Sequence, residues 1–272
     1  MKLMFLGTAA AEGIPALWCE CDLCKKAWTT GGKDIRHRTA YLLDDDTVID
    51  LGPDFYAQSL SYRIDTSRIR RVILTHPHMD HLSAKEFSFR QKGFSVVSKN
   101  LDFVASVEAI VHLLKETGAE SAALSYTPCR LVPGEWVKSG DVEVMGVPAR
   151  HAPGLGAMIL VIRRGGKTLL IAHDTGYLTE ESWQMLKGIE MSAIVLESTC
   201  GIKYAEVQSG HLGVNATIRF RDRLAALGCI TPSTQQYVTH FSHNALSTQE
   251  ALEEFFLPKG IKVAFDGLTV DI

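Results

Sequence analysis

The hydrophobic residues of this chain fall into many short runs with strand-like spacing, and some runs are followed by stretches with helical spacing. Turn-forming residues separate several runs. The acidic segment Asp44–Asp46 and the glycine pair Gly165–Gly166 each predict a hairpin. The runs predict strands at Lys2–Leu6, Ala40–Leu43, Thr47–Asp50, Arg71–Leu74, Leu101–Ala105, Val142–Val147, Ala157–Arg163, Lys167–Ala172, Ala193–Glu197, Tyr237–Thr239 and Lys262–Phe265.

Two segments with helical spacing lie among these strands. Ser106 stands where it would cap the first helix, and Gly228 ends the second helix, Val214–Leu227. The apolar stripe of the first helix is predicted to consist of Val107, Ile110, Val111 and Leu114.

The end of the chain predicts a further helix and a hairpin. Ser247 and Glu250 have the spacing of a capping box, which would open a helix at Thr248–Phe256. Asp266–Gly267 predicts a turn that joins Lys262–Phe265 to the last strand. Because no low-complexity linker divides the chain, residues 1–272 are predicted to form one domain of α/β (α+β) class. The expected arrangement is a four-layer αββα sandwich, with two sheets face to face and helices on both outer surfaces.

The composition is ordinary for a globular protein and argues against some functions. Hydrophobic residues make up 46% of the chain and charged residues 22%. The 28 basic and 31 acidic residues give a net charge of −3, which argues against a protein that mainly wraps nucleic acid. No signal peptide and no apolar run of membrane-spanning length is seen, so we expect a cytoplasmic location with reduced cysteines and no membrane partner.

Three histidines and an aspartate lie within six residues, directly after a predicted strand, at His76, His78, Asp80 and His81. A loop that leaves a strand can direct several of these side chains to one point. Imidazole and carboxylate suit zinc, manganese or iron better than calcium. The alternative is a polar surface loop that holds histidines by chance, and it is less favoured because the chain has only 10 histidines.

The spacing of this loop resembles the signature of the metallo-β-lactamase-like superfamily. Residues that match the family's other motifs follow predicted strands in the family's order, so the resemblance covers nearly the whole chain. It implies that Asp50 supports the metal loop and that Asp174 bridges two divalent ions, with a hydroxide opposite it. The implied ligands are His76, His78 and His151 for one ion, and Asp80, His81 and His240 for the other. These ligands serve manganese, zinc and iron alike.

Cys19, Cys21 and Cys24 form a C-x-C-x-x-C run, and three thiolates so close together match a structural zinc site that needs a fourth ligand. The alternative is a set of free surface thiols. The run resembles the extra zinc site of a smaller group within the superfamily. That group includes the phosphoribosyl 1,2-cyclic phosphodiesterase of the carbon–phosphorus lyase pathway and a pyrroloquinoline-quinone biosynthesis protein. The resemblance implies that His243, three residues after His240, is the fourth ligand.

His211 precedes the predicted helix Val214–Leu227, and Glu197 ends a predicted strand. The pair resembles a glutamate and a histidine of the tRNA 3′-processing members of the superfamily. At this place His211 could contact a phosphate oxygen or protonate the leaving oxygen, and Glu197 would hold its ring in one tautomer and favour its charged form. The alternative for His211 is a residue that caps the helix. Asp80 is expected to take part in proton handling as well as in metal binding.

Four further residues have weaker candidate roles. Arg36, His37 and Arg38 could face a phosphate, but buried arginine pairing is the favoured interpretation. Arg90 follows the metal loop and is a candidate substrate contact.

Together these motifs favour a metal-dependent phosphodiesterase that acts on a small phosphodiester, such as a ribose cyclic phosphate or a nucleotide. The expected cofactors are two catalytic divalent ions and one structural zinc. A tRNA 3′-processing nuclease and a non-catalytic zinc protein, like the pyrroloquinoline-quinone relative, stay open as alternatives. A nucleic-acid partner is not favoured, and the resemblance is compatible with a homodimer.

Overall fold

Two seven-stranded sheets and seven α-helices make up the fold in the computed structural model, which describes residues 1–272. The strands are β1 (Lys2–Gly7), β2 (Ala40–Leu43), β3 (Thr47–Ile49), β4 (Arg71–Ile73), β5 (Leu101–Ala105), β6 (Tyr126–Arg130), β7 (Trp136–Ser139), β8 (Val142–Pro148), β9 (Met158–Arg164), β10 (Lys167–Ala172), β11 (Ala193–Glu197), β12 (Gln235–Thr239), β13 (Lys262–Val263) and β14 (Thr269–Asp271). The helices are α1 (Asp22–Thr30), α2 (Phe55–Ser61), α3 (Ala84–Ser88), α4 (Val107–Thr117), α5 (Glu180–Leu186), α6 (Val214–Ala226) and α7 (Gln249–Phe256). None of these helices is long and apolar enough to cross a membrane.

The strand order places several carboxyl ends at the same edge of each sheet. The first sheet has the order β14-β1-β2-β3-β4-β5-β6, and the second has β13-β12-β11-β10-β9-β8-β7. Strands β3 to β6 are parallel to one another, as are β10 to β13. Since β9 is antiparallel to both β8 and β10, β8 runs in the same direction as β10. Loops that leave these strands therefore meet at one edge of the sandwich.

Alternating side chains bury both faces of each sheet. In β10, Leu169 and Ile171 pack between the two sheets, whereas Leu170 and Ala172 pack against the outer helices. In β4, Ile73 faces the other sheet and Val72 faces outward. Successive side chains of a strand point to opposite faces, so each strand contributes to two cores. The result is a four-layer αββα sandwich, which confirms the predicted fold class.

Two of the three predicted hairpins are present with the expected turn chemistry. Asp44 and Asp45 join β2 to antiparallel β3 with φ values of 49° and 64°. Gly165 and Gly166 join β9 to β10 with φ values of 56° and 74°. Positive φ at both central residues is the geometry of the tight turns that match the twist of a hairpin.

The predicted hairpin at the end of the chain is wrong. Strand β13 belongs to the second sheet, whereas β14 pairs with β1 in the first. The turn at Asp266–Gly267 carries the chain from the second sheet to the first, because its polar groups form hydrogen bonds with β1 and with residues next to the first sheet. Asp266 accepts hydrogen bonds from the hydroxyl of Thr8 and from the backbone N–H of His37, and Gly267 N–H donates to Phe5 O.

Two helix predictions also need correction. The buried positions of α4 are Ala109 and Leu113, while three of the four predicted stripe residues are exposed. The cap of α7 is Thr248, which accepts from Ala251 N–H, so the capping box at Ser247 does not form. The Ser247 hydroxyl instead accepts from the backbone N–H of Ile202.

Candidate metal centre

The seven predicted catalytic-metal ligands lie together at the edge where the carboxyl ends of the strands meet. The loop His76–His81 leaves β4 of the first sheet. His151, Asp174 and His240 follow β8, β10 and β12 of the second sheet. Each of the two ligand groups described next combines side chains from both sheets.

The first group consists of three histidines whose ring nitrogens converge. Nε2 of His76 lies 2.8 Å from Nδ1 of His78, and Nε2 of His151 lies 3.1 Å from the same atom. Three imidazole nitrogens at one point match the open three-ligand set of a catalytic metal site.

The second group is buried and centres on one carboxylate oxygen of Asp174. This atom, Oδ2, lies 2.8 Å from Nε2 of His81 and 2.9 Å from Nε2 of His240. Oδ2 of Asp80 lies 2.9 Å from Nε2 of His81. The other oxygen of Asp174, Oδ1, lies 3.7 Å from Nε2 of His151, which belongs to the first group. Asp174 therefore stands between the two groups, where a bridging ligand would have to be.

Three atoms of the second group are buried without a hydrogen bond: Nε2 of His81, Oδ2 of Asp174 and Nε2 of His240. Each of the two ring nitrogens lies within 3 Å of Oδ2 of Asp174, but neither is aligned with it as a hydrogen-bond donor. Buried polar atoms without partners are costly and rare. A cation at their common point would satisfy all three, so the residues present fit a divalent metal.

The negative charge of the second group also favours a bound cation. Burial by itself would lower the pKa of His81, but the charges of Asp80, Asp174 and Asp50 raise this pKa well above its ordinary value. Three carboxylates around one imidazole thus attract positive charge to the second group. A divalent ion supplies such a charge.

Hydrogen bonds on the far side of the rings fix which nitrogen faces the metal position. Nδ1 of His81 lies 2.7 Å from Oδ2 of Asp50, and a carboxylate can only accept a hydrogen bond there. Nδ1 of His151 lies 3.3 Å from the carbonyl oxygen of Gly210, which also only accepts. Both rings therefore carry a proton on Nδ1 and present Nε2 to the metal position, as ligating histidines generally do.

Asp50 holds several parts of the centre at once. Its carboxylate accepts from the backbone N–H of Thr75 at 2.9 Å and bonds His81 and His173. Burial opposes its ionisation, but the charge of His81 keeps the pKa of Asp50 below its usual value. His173, which no sequence motif marks as functional, bonds Asp50 at 2.8 Å and the hydroxyl of Tyr41 at 3.1 Å.

Three residues of the centre adopt left-handed backbone conformations. Asp50, Asp174 and His240 have φ values of 59°, 51° and 60°. Such values are uncommon for residues other than glycine and persist where the surrounding structure compensates their cost. Asp50 and His240 directly follow β3 and β12, and Asp174 lies two residues after the end of β10, so in each case the left-handed backbone redirects the chain where it leaves a strand.

A second chain of hydrogen bonds connects His240 to His211. The hydroxyl of Thr199 lies 2.5 Å from Oε2 of Glu197 and 2.8 Å from Nδ1 of His240. Glu197 is fully buried, and it also accepts from the N–H groups of Thr175 and Leu212. Thr199 was not singled out from the sequence, since its partner His240 follows a neighbouring strand and lies 41 positions away in the chain.

His211 is held at the edge of the centre by the same carboxylate. Its Nδ1 lies 3.3 Å from Glu197 and 3.7 Å from Oδ1 of Asp174. Burial would lower the pKa of His211, but the charge of Glu197 and the hydrogen bond with it raise the pKa to about 9. The predicted pairing of His211 with Glu197 is therefore present in the structure.

The cysteine run meets His243 at a separate point. Nδ1 of His243 lies 3.3 Å from Sγ of Cys19 and 3.7 Å from Sγ of Cys21. The ligand atoms of these three residues and Cys24 all lie within 4.8 Å of one another. Three thiols and one imidazole match the donor set of a structural zinc. His240 and His243 thus face different clusters, although only two residues separate them.

The remaining candidates have structural contacts. Arg36 is buried and donates to Thr8, Gln249 and the carbonyl of Ala264. Arg36 is thus a buried arginine with hydrogen-bond partners, as the favoured interpretation expects, but these partners are neutral groups and not a carboxylate. His37 bonds Asp266, and Arg38 pairs with Asp54 at 2.7 Å.

The prediction that Arg90 contacts substrate is wrong. Its guanidinium donates to the backbone carbonyls of Leu124, Lys99 and Ser125, and Arg90 does not line the pocket above the metal ligands. Those bonds fix the segment after α3 against the start of β5 and β6.

A pocket of about 410 Å³ opens above the two ligand groups. His78, Asp80, His151, Asp174, His211 and His240 form its floor and side, together with residues of loops after β1, β11 and β12. The volume is within the range of about 300–1,000 Å³ that is usual for small-molecule sites.

Two curated proteins resemble the chain in sequence. An octanoyltransferase of Porphyromonas gingivalis is 24% identical over an alignment of 276 positions, which covers 98% of this chain and 51% of that protein. The chain therefore spans about half the length of this relative. Coenzyme PQQ synthesis protein B of Methylorubrum extorquens is 25% identical over 310 residues, and the match covers 100% of both chains.

Two solved structures share the fold. Zn²⁺-bound PqqB from Methylobacterium extorquens superposes with a TM-score of 0.76 at 18% identity, over 100% of both chains. A diphosphatase of the PhnP family superposes with a TM-score of 0.72 at 22% identity, over 100% of this chain and 97% of that one.

A match to a protein-family model identifies the family of the chain. Residues 46–241 match the family described as the β-lactamase superfamily domain, and this segment includes all seven candidate ligands of the two metal groups. Since the match covers well over half of the sequence, the chain belongs to the β-lactamase superfamily.

Proposed function

We propose that the chain is a metal-dependent phosphodiesterase that hydrolyses a small phosphodiester, such as a ribose cyclic phosphate or a nucleotide. The observation that carries the proposal is the position of Asp174 between two ligand groups, with His211 beside it in the same pocket. One site thus combines a place for two cations with a candidate proton donor.

The ligand set supports a substrate that is an anion. Five neutral imidazoles and the two carboxylates of Asp80 and Asp174 leave a net positive charge on a site loaded with two divalent ions. Two such ions supply an acidified water and neutralise charge on the phosphate. The chain's own residues then have to orient the diester and move protons.

His211 is the proposed proton donor. Glu197 holds one ring nitrogen and favours the charged form of the imidazole, while the ring lines the pocket beside His151. As the bond from phosphorus to the leaving oxygen breaks, a proton passes from His211 to that oxygen. Asp80, at the floor of the same pocket, is placed to accept the proton released by the attacking water.

Two alternatives have less support. A non-catalytic zinc protein would need only the cysteine cluster, whereas this chain also brings together seven ligands and the pair of His211 and Glu197. A tRNA 3′-processing nuclease binds a large polyanion, and the net charge of −3 offers no general attraction to one.

The test is hydrolysis of bis(p-nitrophenyl) phosphate and adenosine 2′,3′-cyclic phosphate with manganese, zinc or iron, combined with metal analysis. We expect three metal ions per chain and turnover that is lost in Asp174→Ala. His112→Ala, on the outer helix α4, is the matched control and should keep its activity. One tightly bound zinc with no turnover of any diester would contradict the proposal and favour the non-catalytic alternative.

A further inference from the structure

Apart from His211, which adjoins the metal ligands, the wall of the pocket above the ligand groups contains no side chain that could carry a positive charge. Of the 15 residues that line it, none is a lysine or an arginine. Its acidic residues are Asp80 and Asp174, which belong to the metal groups, and Glu12. A substrate phosphate can therefore be neutralised only near the floor, at the metal ligands and the neighbouring His211. A second phosphate higher in the pocket would meet Glu12 instead of a cation.

Glu12 forms a polar pair with Asn244 across the mouth of the pocket. The side-chain amide of Asn244 lies 3.4 Å from Oε1 of Glu12, and 232 positions separate the two residues in the chain. Both side chains are exposed, so the carboxylate keeps oxygens free to accept hydrogen bonds. A carboxylate of this kind accepts from a sugar hydroxyl and disfavours a phosphate, for which proteins instead use arginine.

Tyr204 adds an apolar surface to the same pocket. It is 45% exposed and lines the cavity together with Ala10 and Ala11. The neighbouring Lys203 does not line the pocket, and its ammonium lies 4.9 Å from the centre of the Tyr204 ring. The wall thus offers an aromatic ring, small apolar side chains and, in Glu12, a carboxylate that can accept from a hydroxyl.

We propose that Glu12, paired with Asn244, selects phosphodiesters whose only phosphate is the scissile one and whose remaining part is an uncharged, hydroxyl-bearing sugar or nucleoside. This inference rests on the proposed function and narrows its substrate class. It separates this chain from enzymes that take a sugar cyclic phosphate with a second phosphate group.

The experiment compares two substrates that differ only at the position in question. Adenosine 2′,3′-cyclic phosphate has a 5′-hydroxyl, and its 5′-phosphorylated form has a phosphate there. We expect kcat/KM of the metal-loaded enzyme to be at least about tenfold higher for the 5′-hydroxyl form, the size of effect that one polar group typically has on specificity. Each nucleotide is also measured as an inhibitor of bis(p-nitrophenyl) phosphate hydrolysis. The two inhibition constants then show which nucleotide the enzyme prefers, even when one of them is hydrolysed slowly.

The variants Glu12→Gln and Glu12→Lys test the selecting residue. Glu12→Gln keeps the shape of the side chain and removes the repulsion, so the preference should fall. Glu12→Lys supplies a cation, so the 5′-phosphorylated form should become the better substrate and inhibitor. Lys203→Ala is the control and should leave the preference unchanged.

The outcomes separate the two proposals. Wild-type enzyme that hydrolyses diesters but treats both nucleotides alike, or prefers the 5′-phosphorylated form, overturns the inference and leaves the phosphodiesterase function standing. An unchanged preference in Glu12→Lys overturns it as well. If no diester in the panel is hydrolysed, the proposed function fails and the inference fails with it.

Discussion

The hydroxyl of Thr199 connects the ligand His240 to the buried carboxylate of Glu197. Since a carboxylate only accepts hydrogen bonds, Thr199 donates its proton to Glu197. The Thr199 oxygen must then accept from Nδ1 of His240, which leaves Nε2 of that ring free to bind a metal. One hydroxyl thus fixes both the tautomer and the orientation of a ligand.

Removing this hydroxyl should weaken metal binding at the second group. In Thr199→Val, Nδ1 of His240 loses its acceptor, and Glu197 loses one donor. Loss of such a partner typically costs about 10–100-fold in metal affinity. Titration of metal-free protein with zinc measures the effect directly, and Thr199→Ser should restore most of the affinity. Equal affinities in Thr199→Val and wild type would show that the hydroxyl does not position His240.

The proposed acid role of His211 predicts a dependence on the leaving group. An alkoxide leaving oxygen needs a proton, so His211→Ala should lower kcat for adenosine 2′,3′-cyclic phosphate by about 10²–10⁴-fold. p-Nitrophenolate leaves readily without a proton, so the loss on bis(p-nitrophenyl) phosphate should be much smaller. Losses of equal size on the two substrates would speak against proton donation and for a role in binding.

Glu197→Gln keeps the shape of this residue and removes its charge. Because Glu197 orients His211 and reaches His240 through Thr199, the variant should lose activity on the cyclic nucleotide and also bind metal more weakly. Metal titration alongside kinetics distinguishes these effects. A variant with unaltered metal affinity would limit the role of Glu197 to His211.

The cysteine cluster should hold one metal ion independently of the pocket. We expect His243→Ala to contain one zinc fewer per chain and to melt at a lower temperature, because closed zinc sites contribute to folding free energy. Cys129→Ser is the matched control, since Cys129 lies outside the cluster. The control measurement is metal analysis after mild chelation, which should remove the ions of the pocket before the zinc of the cysteine cluster. If His243→Ala lost the pocket ions but still held a zinc that resists chelation, the prediction would be contradicted.

The pair of His37 and Asp266 predicts a pH dependence of stability. The hydrogen bond with Asp266 raises the pKa of His37, although burial opposes the rise; Asp54 adds to it and Arg38 reduces it. A raised folded-state pKa gives stability that is full below the unfolded value of about 6.5 and is lost as pH rises through the folded-state value.

The measurement is the difference in Tm between wild type and His37→Gln. This difference should decrease as pH rises from about 6 to about 9, because the imidazole of the folded protein loses its proton as pH passes through its raised pKa. A difference that does not decrease with rising pH would contradict a stabilising charged pair.

The convergence of side chains in the loop His76–His81 was predictable from the sequence because the information for it is local. His76, His78, Asp80 and His81 all lie in one turn after β4, where spacing alone determines that their side chains converge. The long-range ligands came from resemblance to a family, since nothing local to Asp174 distinguishes a ligand from a turn residue.

Features that depend on which strands are neighbours were not predictable from the sequence. Thr199 meets His240 across 41 positions because β11 and β12 pair side by side. His173 meets Asp50 across 123 positions because the two sheets face each other. Likewise, the closing turn at Asp266 reads locally as a hairpin, but contacts with Thr8 direct it to the other sheet.

Each ligand group takes side chains from both halves of the sandwich: His76 and His78 with His151, and Asp80 and His81 with Asp174 and His240. An ion in either group would act as a cross-link between the two sheets. Ligands that bind only the folded chain stabilise it by mass action. The sheets could then separate only after both ions had dissociated. The concentration of available metal would therefore determine the protein's resistance to unfolding as well as its activity.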